Sequence, residues 1–191
     1  MDKLFSHKLL LASKSPRRKQ LISMLGFEVE VVEVEAAEDV DGLVKASDIP
    51  ALLAERKSLA YNKQISDSEI LITADTLVVL NADVLGKPQS RQEAFDMLSS
   101  LSGNKHQVYT GVCLRTCDTV KLFTEKTDVY FKYLSADEIN YYLDNYNYLD
   151  KAGSYGIQEW IGMIGVERIE GDFYNVMGLP VARLYKEIIL L

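Results

Sequence analysis

A short apolar strand that leads straight into a proline-opened helix constrains the fold of this chain more than any other feature. The segment KLLLAS (8–13) is apolar and stops at small polar residues, which is typical of a buried strand. Pro16 follows at the position where a helix begins, and the helical pattern ends at Gly26. The next segment, FEVEVVEVE (27–35), alternates between apolar and polar residues as a half-buried strand does. The sequence therefore predicts strands and helices mixed within one chain.

The rest of the chain continues this mixture without strict alternation. Two capping-box patterns, Ser90 with Glu93 and Ser135 with Glu138, predict helix starts, and Pro180 opens the last helix. Further segments predict a helix at 48–65 and strands at 69–80, 106–115 and 120–134. We find no internal repeat, low-complexity tract or linker. These patterns favour an α/β or α+β fold with one mixed sheet flanked by helices, and a single domain over residues 1–191.

Charge and composition exclude several classes of protein. The chain of 191 residues has 28 acidic and 21 basic residues, a net charge of −7, which argues against a general nucleic-acid surface. No apolar stretch reaches the roughly 18–20 residues of a membrane span, and the N-terminus lacks a signal-peptide pattern, so we expect a cytoplasmic protein. Cys113 and Cys117 lack the further ligands of a zinc site, and we expect two buried thiols.

The densest positive charge of this acidic chain lies in SKSPRR (13–18). A strand end that feeds a helix N-terminus presents free backbone N–H groups and the positive end of the helix dipole. Ser13 and Ser15 add hydroxyls, and Arg17 and Arg18 add charge-assisted donors for phosphate. Consecutive helix residues point about 100° apart, so each arginine would contact a different part of a ligand. The alternative is a solvated helix start with ordinary basic residues.

A charged residue also interrupts the apolar segment ITADTLVVL. Asp75 is costly to bury unless something pairs with it, so it can bind a metal ion or accept a proton from an attacking water. The alternative is a turn aspartate. Lys57 and Lys87 are further candidates for phosphate contacts, although each alone is more typical of a surface lysine. The chain has no Walker A loop.

Two loops supply the remaining candidates. KAGSYGIQ (151–158) has glycines that permit close backbone approach to a ligand, and the amide of Gln158 can read a base edge. An acidic segment after the second strand contains Glu38. Carboxylate ligands would favour Mg²⁺ or Mn²⁺. A structural loop and a solvated acidic loop are the alternatives.

Taken in order, the segments LASKSPRR, AERKSLA, ADTLVVL…LGKP, LSGNKHQVYTGV, DKAGSYGIQ and GLP resemble the Maf family of nucleoside triphosphate pyrophosphatases, from about residue 8 to residue 186. The resemblance implies hydrolysis of a nucleoside triphosphate to the monophosphate and pyrophosphate with a divalent cation, Mg²⁺ or Mn²⁺. It also implies an α/β fold with two lobes and a cleft, similar to inosine triphosphate pyrophosphatases, and often a homodimer. The implied role is removal of modified or surplus nucleotides, with a link to septum formation and cell division arrest.

The resemblance assigns roles to individual positions. Asp75 matches the proton acceptor and, with Glu38, the metal-binding carboxylates. The implied phosphate-binding residues are Ser13, Arg17, Arg18, Lys57 and Lys87.

The resemblance also distinguishes two branches of the family. Ala74-Asp75-Thr76 and the GSYGIQ loop are similar to the branch that favours dTTP and UTP, with Arg18, Thr76 and Gln158 as specificity positions. CTP and modified pyrimidine nucleotides stay open as substrates. One alternative is the 7-methyl-GTP branch, which has Ser-Asp-Gln at the central motif. The other is a nucleotide-binding regulator of division without turnover. One departure from the family is NADV (81–84), which lacks the usual glycine and leaves the shape of that hairpin open.

Overall fold

A computed structural model of the protein describes residues 5–40 and 44–191. Within these ranges, the strands are β1 (Lys8–Leu11), β2 (Glu28–Val31), β3 (Glu69–Leu80), β4 (Asp83–Leu85), β5 (Lys105–Arg115), β6 (Val120–Phe131) and β7 (Val166–Glu170). The helices are α1 (Pro16–Ser23), α2 (Ile49–Ala60), α3 (Arg91–Leu101), α4 (Ala136–Asn145), α5 (Trp160–Gly165), α6 (Phe173–Val176) and α7 (Val181–Ile188), with a 3₁₀ turn at Ala152–Ser154.

The strands form a mixed sheet in the order β2-β1-β3-β5-β6-β7, and β4 pairs with β3. Strand β1 is parallel to both β2 and β3, whereas the β3–β4 and β6–β7 pairs are antiparallel. The α/β fold with a mixed sheet and flanking helices is therefore confirmed.

The chain forms two compact units. The first consists of Met1–Asp75, Thr110–Glu125 and Gly178–Leu191, and the second of Thr76–Tyr109 and Lys126–Met177. Strands β3, β5 and β6 each contribute residues to both units. Within β3 the chain passes from the first unit to the second between Asp75 and Thr76.

In the first unit, two predicted elements are shorter than expected. Strand β2 covers Glu28–Val31 instead of 27–35, and its residues are largely exposed. Among the described strands it lies at the end of the sheet and pairs with β1, and none of them borders its outer edge. Helix α2 ends at Ala60 because Tyr61 is extended and buries its ring in the core.

Helix α2 lies unusually close to β5 at a glycine. A Cβ on Gly111 would lie 2.2 Å from the backbone nitrogen of Ala51 and 2.2 Å from the carbonyl carbon of Pro50. Only a residue without a side chain permits this approach of helix backbone to strand backbone. Gly111, part of the YTGV segment, therefore fixes the depth at which α2 packs.

Replacing Gly111 with alanine should destabilise the protein by about 2 kcal/mol or more, because the helix backbone must move to admit the methyl group. Urea denaturation followed by circular dichroism measures the change. Gly86→Ala is the matched control, since a Cβ there meets nothing within 4 Å. Equal stabilities of the two variants would contradict the close-packing argument.

In the second unit, α3, α4 and α5 bury their apolar faces against the strands. The shared core includes Leu98, Val108, Val129, Ile139 and Ile161. Ser135 and Glu138 form the complete capping box predicted for α4.

The capping box predicted for α3 is only half correct. Ser90 accepts from the Glu93 N–H at 3.1 Å, but the Glu93 carboxylate accepts from the N–H of Gln89, not of Ser90. The expectation of two buried thiols was also wrong for one cysteine. Cys113 is buried, but Cys117 lies beyond the end of β5 and is exposed.

The hairpin between β3 and β4 forms without a glycine. Asn81 and Ala82 occupy its turn with φ values of 51° and 79°. Leu80 pairs with Asp83 across the turn, so the two residues form a two-residue loop of the kind that needs positive φ twice. Asparagine tolerates this conformation, whereas alanine is strained in it because of its Cβ.

Ala82→Gly should therefore raise the free energy of unfolding by about 1 kcal/mol, through relief of that strain. Ala136→Gly is the control, because Ala136 is exposed at the start of α4 and its substitution should lower stability. Thermal and urea unfolding of both variants measure the difference. A loss of stability in Ala82→Gly would contradict the assignment of strain to this turn.

Candidate functional site

The SKSPRR segment forms a capped helix start in the first unit. Ser15 is the N-cap of α1, accepting from the Arg18 N–H at 3.4 Å, and Pro16 is the first helical residue. The Ser13 hydroxyl accepts from the Ser15 N–H at 3.2 Å and from Arg18 Nη1 at 3.3 Å. The first turn of α1 contains no acidic residue.

The Arg18 side chain is held by two backbone carbonyls of the first unit. Its Nε donates to Gly178 O and its Nη1 to Ala74 O, both at 2.8 Å. Burial lowers the pKa of Arg18 from its ordinary value, and the charge of Asp75 opposes this shift. The guanidinium stays charged, because its ordinary pKa lies far above neutrality. The cation therefore has a fixed position beside the residue that precedes Asp75.

Lys57 lies between the two candidate metal-binding carboxylates. Its Nζ is 2.7 Å from Asp75 Oδ1 and 2.8 Å from Glu38 Oε1. The side chains of Lys57 and Asp75 are 18% and 16% exposed, whereas that of Glu38 is 62% exposed. One cation thus joins a half-buried carboxylate on β3 to an exposed carboxylate in the loop after β2.

Helix α2 and β3 fix this contact through neighbouring bonds. The Thr73 hydroxyl, two residues before Asp75, donates to Ala54 O at 2.5 Å. Arg56 donates to the backbone carbonyl of Asp39, which ties the acidic loop to the same helix. Arg56 therefore holds the backbone of this loop, and Lys57 holds the side chain of Glu38.

The two carboxylates fit a divalent cation of the Mg²⁺ or Mn²⁺ type. Mg²⁺ is commonly bound through one or two carboxylates together with substrate phosphates. Within the part of the chain that the structure describes, no cluster of three or more His, Cys, Asp or Glu residues is placed to hold a metal. Glu38 and Asp75 are the two candidate carboxylates available to such an ion.

The other candidates belong to the second unit. Thr76 is half-buried on β3, and Lys87 is exposed after β4. The Gly153 N–H donates to Gly86 O at 3.0 Å, which ties the 151–158 loop to the residue before Lys87. Gly153 has a φ of 68°, and a Cβ there would lie 3.1 Å from Val78.

Gln158 is half-buried and lines a groove of about 380 Å³ in the second unit. Its Oε1 atom is buried and accepts no hydrogen bond from the described residues. Apart from Gln158, the groove is apolar, with walls from Ile157, Gly162, Met163, Val166, Ile169 and Phe173. An apolar groove with one amide side chain in its lining suits a flat ligand that hydrogen-bonds at its edge.

His106 supports the Gln158 loop from the sheet. It is fully buried, its Nε2 lies 2.7 Å from the Tyr155 hydroxyl, and the Phe131 and Tyr155 rings meet it edge-on. Burial lowers the pKa of His106 to about 4, and the charge of Asp128 opposes the shift. The imidazole is therefore neutral in the folded protein.

The model of the family described as Maf-like protein matches residues 8–190 of this chain. The chain belongs to the Maf family. Relatives from Bacteroides fragilis (50% identity over 183 residues, 95% of each chain) and Parabacteroides distasonis (50% over 190 residues, 98% of each) are both named dTTP/UTP pyrophosphatase. One from Porphyromonas gingivalis, with the same name, is 48% identical over 191 residues, which are 98% of this chain and 96% of that protein.

A solved structure supports the fold assignment of this Maf protein. The Ham1 protein of Staphylococcus aureus superimposes with a TM-score of 0.51 at 15% identity, over 95% of this chain and 97% of that one. At this identity the likeness concerns the fold alone. Over the described residues, no helix is long and apolar enough to cross a membrane.

The Maf structure joins several predicted residues and adds others. Glu38, Lys57 and Asp75 are in direct contact, as are Ser13 and Arg18. The carbonyls of Ala74 and Gly178 were not predicted, because side-chain types do not reveal where a backbone oxygen points.

The Maf fold should lose stability in acid through His106. Between pH 6.5 and about 4 the unfolded chain binds a proton at this residue and the folded chain does not. The contribution is present above pH 6.5 and falls by about 3 kcal/mol as the pH drops to 4. Urea denaturation across this range should show a shallower fall in His106→Gln than in the natural protein. If the free energy of unfolding falls equally with pH in both proteins, His106 is not buried as a neutral imidazole.

Proposed function

We propose that this Maf protein hydrolyses dTTP and UTP between the α and β phosphates, giving the monophosphate and pyrophosphate. The observation that carries the proposal is the Glu38–Lys57–Asp75 contact, with Arg18 fixed beside it. This arrangement places cations that can bind a triphosphate beside carboxylates that can bind a metal ion and accept a proton. The names of the relatives agree with this activity.

The residues of the first unit would perform the chemistry. Ser13, Arg17 and the N-terminus of α1 would bind phosphate oxygens, since this helix end carries no acidic residue. Mg²⁺ or Mn²⁺, when bound by Glu38 and Asp75, supplies charge neutralisation for the phosphoanhydride. Asp75 would orient the attacking water and accept its proton as water adds to phosphorus and pyrophosphate leaves. Lys57 would neutralise charge that develops on the leaving phosphates. The family resemblance adds Lys87 as a phosphate contact.

Among the specificity positions that the family resemblance implies, Gln158 carries the clearest signal for the base. Thymine and uracil present an N3–H donor, whereas N3 of cytosine is an acceptor. The buried Oε1 of Gln158, which has no partner among the described residues, would accept that N3–H. The remaining specificity positions are Arg18 and Thr76. This interpretation places CTP below dTTP and UTP as a substrate.

Three further properties complete the proposal. We propose that the enzyme acts in the cytoplasm, requires Mg²⁺ or Mn²⁺, and consists of one Maf domain in two lobes. The homodimer that the family resemblance implies stays a prediction, which light scattering tests.

Pyrophosphate release from dTTP, UTP, CTP, GTP and 7-methyl-GTP, with Mg²⁺ or Mn²⁺ and with EDTA as control, tests this function. We expect metal-dependent release led by dTTP and UTP. Nucleotide binding without release would favour a regulator, and a lead by 7-methyl-GTP would favour the other branch of the family.

Asp75→Asn should lower kcat for dTTP by about 10²–10⁴-fold, because the amide cannot accept the proton of the water. Nucleotide binding, measured by thermal shift with dTTP and Mg²⁺, should remain. Asp83→Asn, an exposed aspartate on β4, is the control and should keep full activity. A near-normal rate in Asp75→Asn would exclude this residue as the base.

Gln158→Ala should reduce the preference for dTTP over CTP by about tenfold, because it removes the acceptor for N3–H. The kcat/KM values of the two substrates measure this ratio. Gln64→Ala, at an exposed glutamine after α2, should leave the ratio unchanged. The same ratio in natural protein and Gln158→Ala would contradict the assignment.

A further inference from the structure

A buried lysine lies at the start of the loop that carries Gln158. Lys151 is 5% exposed, and its Nζ is 3.0 Å from Asp150 Oδ1 and 3.0 Å from Glu159 Oε1. It also donates to the backbone carbonyl of Asn147. The side chain therefore joins the two ends of the 151–159 segment.

Glu159 is turned away from the role that its position suggests. It is the N-cap of α5 but makes no side-chain cap bond. Its Oε1 faces Lys151, and its Oε2 accepts from the Tyr142 hydroxyl. Glu159 therefore does not cap α5, as a side chain at this position usually does, and its carboxylate binds Lys151 and Tyr142 instead.

Tyr142 extends the network to the backbone next to Gln158. Its side chain is fully buried, and its hydroxyl oxygen accepts from the Gly156 N–H at 3.1 Å. Burial and the hydrogen bond to Glu159 raise the pKa of Tyr142, so the hydroxyl keeps its proton. Gly156 and Glu159, on either side of Gln158, are thus both bound to one tyrosine.

Stability alone is a poor explanation for this arrangement. A buried ion pair loses hydration on both partners, and well-packed apolar residues of similar volume often stabilise a protein as much or more. What such a network supplies is one defined geometry, provided that its members are bonded. The segment whose geometry it defines holds Gln158, which lines the groove and whose buried Oε1 has no hydrogen-bond partner among the described residues.

We propose that Lys151, Glu159 and Tyr142 form a positioning network that sets the Gln158 amide for base selection. This inference rests on the proposed function and extends it to three residues that need not touch the nucleotide. They act through the backbone at Gly156 and Glu159 rather than on the phosphates. Their loss should therefore change which base is accepted more than how fast the preferred nucleotide is cleaved.

The test compares kcat/KM for dTTP and CTP in Lys151→Met and Tyr142→Phe. We expect the dTTP preference to fall about tenfold, as in Gln158→Ala, while kcat for dTTP stays within about threefold. Adding Gln158→Ala to either variant should lower the preference no further, because both changes act on the same contact. Lys151→Arg, which keeps the cation, should restore part of the preference.

Leu98→Ala is the stability control, since Leu98 is fully buried in the same core. It should lower the melting temperature but leave the base preference unchanged. If Lys151→Met fails to fold, Tyr142→Phe still tests the network, because it removes one oxygen atom.

Two failures are distinguishable. If the natural protein releases no pyrophosphate from dTTP, the proposed function fails. If Gln158→Ala loses the preference while both network variants keep it, or if Leu98→Ala loses it equally, the positioning role is overturned and the proposed function stands.

Discussion

The contact of Lys57 with Asp75 and Glu38 is the interaction on which the candidate chemistry depends. A carboxylate that is 16% exposed at the middle of a long strand needs a counter-charge, and Lys57 supplies it at 2.7 Å. The lysine can reach because α2 packs backbone-to-backbone on Gly111 and is bonded to Thr73. Gly111 and Thr73 thus set the distance between Lys57 and Asp75.

Arg18 illustrates a different way to place a cation. Two carbonyl oxygens hold its guanidinium, so its position does not depend on a bound anion. The carbonyl oxygens are neutral, so they hold the guanidinium without neutralising its charge. A carboxylate in the same place would neutralise it. Its partners, Ala74 and Gly178, come from segments far apart in the chain that fold into one unit. A cation held in a fixed position is suited to a charge that develops during a reaction.

Local chemistry explains which elements were predictable from sequence. The Ser135–Glu138 cap and strand β3 follow from patterns within a few residues, and the structure has both. The predictions were wrong where residues distant in sequence or exact geometry determine the structure. Strand β2 is shorter than predicted at the sheet edge, and Glu93 accepts from Gln89 instead of Ser90. The order of the motifs predicts the residue types of the candidate site. It does not predict the carbonyls that hold Arg18, because every residue has a carbonyl.

The two lysines with carboxylate partners have different surroundings, and this difference separates their proposed roles. Lys57 is 18% exposed and one of its partners, Glu38, is 62% exposed, so solvent, a metal ion or a phosphate can replace that contact. Lys151 is 5% exposed and its partner Glu159 is bound to Tyr142 as well. Exchange of partners there would leave a buried charge uncompensated. An exchangeable lysine suits catalysis on a charged substrate, whereas a closed one can only hold a conformation.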